Sequence, residues 1–225
     1  MKFILVIERK YLFPGLSPHG FLAPDSLDLE RLNEFLFFAE REYMEQNSFF
    51  KQVIPYLVLN RGNGENARVL AYQRRTRHSE RRLGGLWSLG FGGHIEPLDR
   101  SDENVTTGGL VHRAARRELT EETGLELNDT ALDPIGFINS DAEAVSSVHF
   151  GVVYRVDLDN HPGSDDEILA TVSRQAEPHQ ARWLPAADLP RLVGAGNGPD
   201  GGSFEDWSRI VIEGAGKNLV LASSA

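Results

Sequence analysis

"RRELTEETGLEL" (residues 116–127) carries Glu118, Glu121 and Glu122, and places Glu118 and Glu122 where an amphipathic helix ordinarily turns its apolar residues inward. Val111, Ala114, Ala115, Glu118, Leu119 and Glu122 are spaced 3, 1, 3, 1 and 3 apart, the spacing of a single helical face. That face begins small and apolar and ends acidic. Thr106 or Thr107 can cap its start, and Gly124 suits the left-handed position that closes a helix.

Three carboxylates converging on the last turns, near the negative end of the helix dipole, repel one another and favour protonation unless a cation joins them. The chain has no cysteine, so thiolate zinc sites, disulfides and cysteine nucleophiles are excluded. Oxygen ligands then favour magnesium or manganese, ions that commonly bridge to a substrate phosphate. The competing interpretation is an exposed acidic helix end paired with Arg113, Arg116 and Arg117.

Working outward, "GFGGHIE" (90–96) is a glycine turn ending in an acid. Before it, Arg74, Arg75, Arg77, Arg81 and Arg82 form a compact basic stretch in a chain of net charge -10, a local candidate for steering an anionic substrate. The overall charge argues against binding a nucleic acid polymer, whose phosphates are held by clustered lysine and arginine. At the start, "MKFILVIERK" has five consecutive apolar residues before Glu8, too few for a signal-peptide core or a membrane span. The expectation is a soluble, cytoplasmic protein.

With 225 residues, 40% of them hydrophobic, one sizeable core is expected. Residues 1–50 are expected to be an extension that packs on the core or forms a homodimer. It comprises a strand at 2–7 and a helix from Ser26, capped by that serine, with Leu27, Leu29, Leu32, Leu36 and Phe37 on its apolar face. Residues 51–193 form the main domain, with a hairpin (52–60 and 67–75), strands at 132–139 and 146–158, and a strand leading into a short helix at 181–193. A glycine-rich loop and a terminal helix capped by Ser203 occupy 194–225.

"RELTEETGL" (117–125) resembles the signature of the Nudix family at each fixed position: Arg117, Glu118, Leu119, Glu121, Glu122, Gly124 and Leu125. "GGHIE" is similar to the glycine pair and glutamate of the same box. The resemblance implies an α/β/α sandwich with a mixed sheet, and a hydrolase that cleaves a phosphoanhydride in a nucleoside diphosphate linked to another group. It implies Glu118, Glu121, Glu122 and the Gly93 carbonyl as ligands of Mg2+ or Mn2+, with Arg117 orienting a box carboxylate. Glutamates 121, 122 and 177 are the catalytic candidates, Glu177 being the added acid of "EPHQARW", with Glu143 and Glu167 in reserve. Arg74, Arg75, Gly92, Gly93 and His94 are expected to position the phosphates.

The departure lies inside the box. Gly93 and Arg117 are 24 residues apart where the pattern has 14, so ten are inserted, and the first box glutamate would fall on Gly109. Glu96, Asp99, Asp102 or Glu103 must replace it. A GGHI turn with a lengthened box resembles a bacterial subgroup of predicted Nudix phosphoesterases. The rival is a non-catalytic Nudix module that binds a nucleotide or a protein partner as sensor or scaffold. Isoprenoid diphosphate isomerase chemistry would need the cysteine this chain lacks. His149 is expected to be a core or pocket-edge histidine, and Trp87 and Trp183 core residues.

Overall fold

The computed structural model describes residues 1–75, 84–100, 106–127, 132–176 and 180–219. In chain order come β1 (Phe3–Glu8), α1 (Arg9–Leu12), β2 (Gly20–Leu22), 3-10 turns at Pro24–Ser26 and Glu30–Phe35, β3 (Leu36–Glu40), α2 (Arg41–Met44) and β4 (Phe50–Arg61). They are followed by β5 (Arg68–Gln73), β6 (Trp87–Ser88), β7 (Gly90–Phe91), a 3-10 turn at Pro97–Asp99 and α3 (Thr107–Thr123). The remainder is β8 (Leu132–Asn139), α4 (Ala144–Ser147), β9 (His149–Asp157), α5 (Asp165–Gln175), β10 (Gln180–Pro185), α6 (Leu189–Gly194) and α7 (Asp206–Ala215).

The sheet runs β10-β5-β4-β9-β8-β2. It is mixed, because β4 and β9 are parallel while β5–β10, β4–β5 and β8–β9 are antiparallel. Period-two alternation sorts β4 between two cores. Leu57 and Leu59 meet α3 and α5 through Val111, Ala114, Ala115, Leu119, Ile168 and Val172. Tyr56 and Val58 face α6 and α7 through Leu189, Ile210 and Val211. Helices thus cover both faces, the expected α/β/α arrangement. Among the described residues no helix is long and apolar enough to cross a membrane.

The helix carrying the acids has the predicted ends. Thr106 Oγ1 accepts from the Gly109 amide, and Gly124 closes the helix at φ 71°. The hairpin is present but brief, pairing only Asn60 with Val69 and Arg61 with Arg68, because β7 pairs with β4 at Leu57 and Val58 and β6 with β5 at Tyr72 and Gln73.

The expected helix from Ser26 does not form. Its residues make two 3-10 turns, then β3, then the four-residue α2. The cause is non-local: β1 needs a partner on its open edge, and the aromatic-rich "LFFAE" supplies it in the register Phe3↔Glu40 to Ile7↔Leu36. Leu27 and Leu29 reach the core from irregular backbone and Leu36 from β3, instead of from one helical face. Ser203 is likewise not a cap. The residue before α7 is Glu205, whose side chain makes no cap bond; Ser203 instead offers its carbonyl to the Trp87 amide. Helix α5, absent from the sequence reading, is announced by a capping box in which Ser164 and Glu167 bond each other's backbone amides.

The first 50 residues take part in the sheet: β1 pairs with β4, and β2 with β8. They also hold α3, since the Glu30 carboxylate accepts from the amides of Thr107 (3.0 Å) and Gly108 (2.8 Å), and Asn33 Oδ1 accepts from the Thr107 hydroxyl. A carboxylate on free amides at a helix N-terminus also complements the dipole. Glu30→Ala is therefore expected to cost about 0.5–2 kcal/mol of stability, read from chemical denaturation. An unchanged midpoint would show that Thr106 alone suffices.

Candidate active site

The glycine turn is shaped by what lies behind it. Gly92 has φ 153°, and a Cβ there would stand 1.9 Å from the Pro55 carbonyl oxygen. At Gly93 a Cβ would stand 2.5 Å from Glu118 Oε2. The turn therefore passes directly against the acidic end of α3, and the Gly92 amide lies 3.3 Å from Glu122 Oε2. The two glycines fail differently. Gly92→Ala meets backbone in a conformation L-residues avoid, whereas Gly93→Ala meets a side-chain carboxylate that can move. Gly93→Ala is expected to lower the unfolding midpoint less than Gly92→Ala does. Denaturation curves of both variants check this, and equal midpoints would refute it.

Arg117 organises the acids. Its Nε and Nη2 donate to the two oxygens of Asp99 at 2.8 and 2.9 Å, its Nη1 to Glu118 (2.7 Å) and Glu121 (3.0 Å), and its Nη2 also to the His94 carbonyl (2.9 Å). Asp99, 4% exposed, also accepts from the Glu96 amide. Of the four acids weighed for the displaced box position, Asp99 meets Arg117, Glu96 lies on the half-exposed side toward Lys2, and Asp102 and Glu103 fall outside the described residues. Arg113 and Arg116 turn instead to the carbonyls of Asp99 and Leu127.

Glu118 is buried at 8% exposure. Burial pushes its carboxyl above the usual range, Glu122 and Glu121 add to the rise, and Arg117 opposes it. Glu121 is the open member, its side chain 59% exposed. Glu118, Glu121 and Glu122 are not among the described groups of three whose ligand atoms all lie within 4.8 Å of one another. The donor set nonetheless suits a hard divalent ion, being all oxygen with negative charge in excess of the one guanidinium.

Around this end of α3, Tyr72 donates to the Gly90 carbonyl (2.9 Å) and stacks on Phe91. Burial pushes its hydroxyl up to about 12, Arg74 opposes, and Glu122 and Glu205 add to the rise. Arg74 lies 5.9 Å from the Tyr72 ring and 3.9 Å from Glu205. Arg75 is exposed, while Arg77, Arg81 and Arg82 fall outside the described residues. The His94 ring is engaged with Gln52 at 2.8 Å and lies 5.5 Å from that of His149. Burial, followed by Arg41, His149 and Lys2, lowers the His94 ring to about 3.

Glu177 falls outside the described residues; α5 ends just before it, where Gln175 donates to the Glu121 carbonyl (2.7 Å). Glu143 and Glu167 close capping boxes of α4 and α5. Trp87 is buried under Arg182, and Trp183 is half-buried with Nε1 toward the Asp165 carbonyl.

Sequence reasoning missed Glu205. Its Oε1 accepts from Tyr56 (3.0 Å), Ser88 (2.5 Å) and Ser208 (3.1 Å) in a buried network that joins α7 to the strands leading into the glycine turn. No local signal separates it from an ordinary acid in the first turn of a helix.

The comparisons agree with this geometry. Protein YmaB of Bacillus subtilis (strain 168) is 28% identical over 220 residues, which span 93% of this chain and 95% of that protein. The crystal structure of Tm1382 superposes with a TM-score of 0.70 at 26% identity, covering 97% of this chain and all of that one. The profile of the NUDIX domain matches residues 51–202, which hold the glycine turn, Asp99 and the acidic helix, and the chain belongs to the Nudix family.

Proposed function

We propose that this protein is a divalent-metal-dependent hydrolase that cleaves a phosphoanhydride bond in a nucleoside diphosphate linked to another moiety. The observation that carries this reading is the arrangement around Arg117: Asp99 takes two of its donor groups, Glu118 and Glu121 share a third, and Glu122 faces the Gly92 amide. The arginine that orients the box glutamates thus keeps a carboxylate partner despite the ten-residue insertion, with Asp99 standing where the box has glutamate.

Glu118, Glu121 and Glu122, with the Gly93 carbonyl, would hold Mg2+ or Mn2+. The bound ions would neutralise charge developing on the phosphates and lower the pKa of the attacking water. Arg117 fixes Glu118 while its own charge is largely satisfied by Asp99. Glu121, open to solvent, and Glu177 are the candidates to take the water's proton, and the Gly92 and Gly93 backbone with Arg74 and Arg75 positions the phosphate chain.

The test is product analysis of the purified chain with Mg2+ or Mn2+ across nucleotide sugars, ADP-ribose, dinucleoside polyphosphates, NADH and nucleoside triphosphates. Metal-dependent cleavage of one class, with products naming the attacked phosphate, is the expected result. Nucleotide binding without turnover of any class would replace the hydrolase by a sensor module.

A further inference from the structure

Next to the glycine turn, side chains from three distant segments converge. Glu45 follows α2, His94 lies in the turn itself, and His149 opens β9; their ligand atoms all lie within 4.8 Å of one another. None of the three belongs to the acidic end of α3. Sheet register sets the meeting place, since Gln52 and His149 are direct partners across the parallel β4–β9 pair.

The local bonding prepares this cluster for a ligand. His149 Nδ1 lies 2.7 Å from the Val145 carbonyl. A carbonyl only accepts, so Nδ1 carries the ring hydrogen and Nε2 presents its lone pair. A backbone carbonyl that fixes the tautomer of an imidazole in this way is the usual support of a metal-ligating histidine. Glu45 is oriented by Arg41, whose Nε donates to Oε1 at 2.9 Å, and that oxygen lies 3.9 Å from His94 Nε2. Gln52 is fully buried with Oε1 2.8 Å from the same nitrogen, while its amide nitrogen has no hydrogen-bond partner. An unsatisfied buried amide beside two imidazoles and a carboxylate marks a polar site whose bonding the protein alone does not complete.

We propose that Glu45, His94 and His149, with Gln52 Oε1 beside them, bind one transition-metal dication of the zinc class. Two imidazoles and one carboxylate are a donor set that favours zinc or cobalt over magnesium, with a position left for the glutamine oxygen or water. Binding would draw these ligand atoms, now within 4.8 Å of one another, to about 2.0–2.2 Å from the ion. In the bound state His94 carries its hydrogen on Nδ1 and ligates through Nε2. The ion would tie the glycine turn to β9 and to the segment after α2, bracing the loop against which Glu118 and Glu122 rest. Its role is therefore structural, and it is separate from the oxygen-only site on α3.

The experiment uses the full chain, stripped with a chelator and titrated with Co2+ and Zn2+ under saturating Mg2+. Co2+ is read by its visible absorption, Zn2+ by calorimetry and by the thermal midpoint. Expected is one tightly bound ion per chain, a raised midpoint, and affinity lowered on the order of 100-fold or more in Glu45→Gln and His149→Ala. Glu122→Gln should bind the transition ion as the parent does. Glu45 lies outside the buried core, so Glu45→Gln decides the matter even where a histidine variant fails to fold. Unchanged affinity in Glu45→Gln, loss in Glu122→Gln instead, or only millimolar binding by the parent would each overturn the proposal. Because the readout is binding, a failure here is distinguishable from failure of the hydrolase reading.

Discussion

Glu122→Gln is expected to fold as the parent does and to lose turnover by a factor on the order of 10²–10⁴, the range typical of removing a positioned catalytic group. The glutamine fills the same volume and can still offer an oxygen to the Gly92 amide, so the turn keeps its contact. What it removes is a negative charge from a group of three. Since Glu122 helps to raise the Glu118 carboxyl, its neutralisation relieves repulsion in the metal-free chain. The variant should therefore show an unfolding midpoint in chelator no lower than the parent's, together with a weaker response to added Mg2+. Steady-state kinetics on the identified substrate and parallel thermal melts separate the two effects. Near-parent turnover would mean that the helix acids are not the metal site.

The largest effect on stability is expected at Asp99. It is almost wholly buried, faces Arg117 with both oxygens, and receives the Glu96 amide. Truncating Asp99 removes two charge-assisted hydrogen bonds from Arg117, which stays paired with Glu118 and Glu121, a loss of about 1.5–3 kcal/mol. Asp99→Ala should lose stability of that order in urea, while Glu96→Ala, at a half-exposed position, should lose far less. Catalysis should suffer separately. Freed of Asp99, Arg117 is drawn fully onto Glu118 and Glu121, which it already touches, and competes with the cation for them. A higher Mg2+ requirement in the surviving folded protein would report that competition. If the two alanine variants were equally stable, Asp99 would not be the anchor of Arg117.

Much of this was written locally. A threonine cap, a stripe of small apolar residues and a glycine stop fix α3 between Thr106 and Gly124, because capping and helical periodicity involve only near neighbours in the chain. The same stretch carries the three glutamates, so the helix, its acidic end and, through the family resemblance, the α/β class followed from sequence alone. The short reach of such signals also explains the errors. The leucine spacing after Ser26 satisfied a helical pattern, but the segment was claimed by the open edge of β1, a partner whose position no window of sequence contains.

The site divides in the same way. Sequence reasoning named the acids that could replace the displaced box glutamate without choosing among them, having counted back from Arg117 and not forward from Gly93, from which the sixth residue is Asp99; the fold brings Asp99 to Arg117. Glu30 on the end of α3, Glu205 in its buried network, and the meeting of Glu45, His94 and His149 belong wholly to the tertiary structure. Each joins residues tens of positions or more apart. Such contacts are fixed by strand register and by the packing of helices on both faces of one sheet, which exist only once the whole chain has folded.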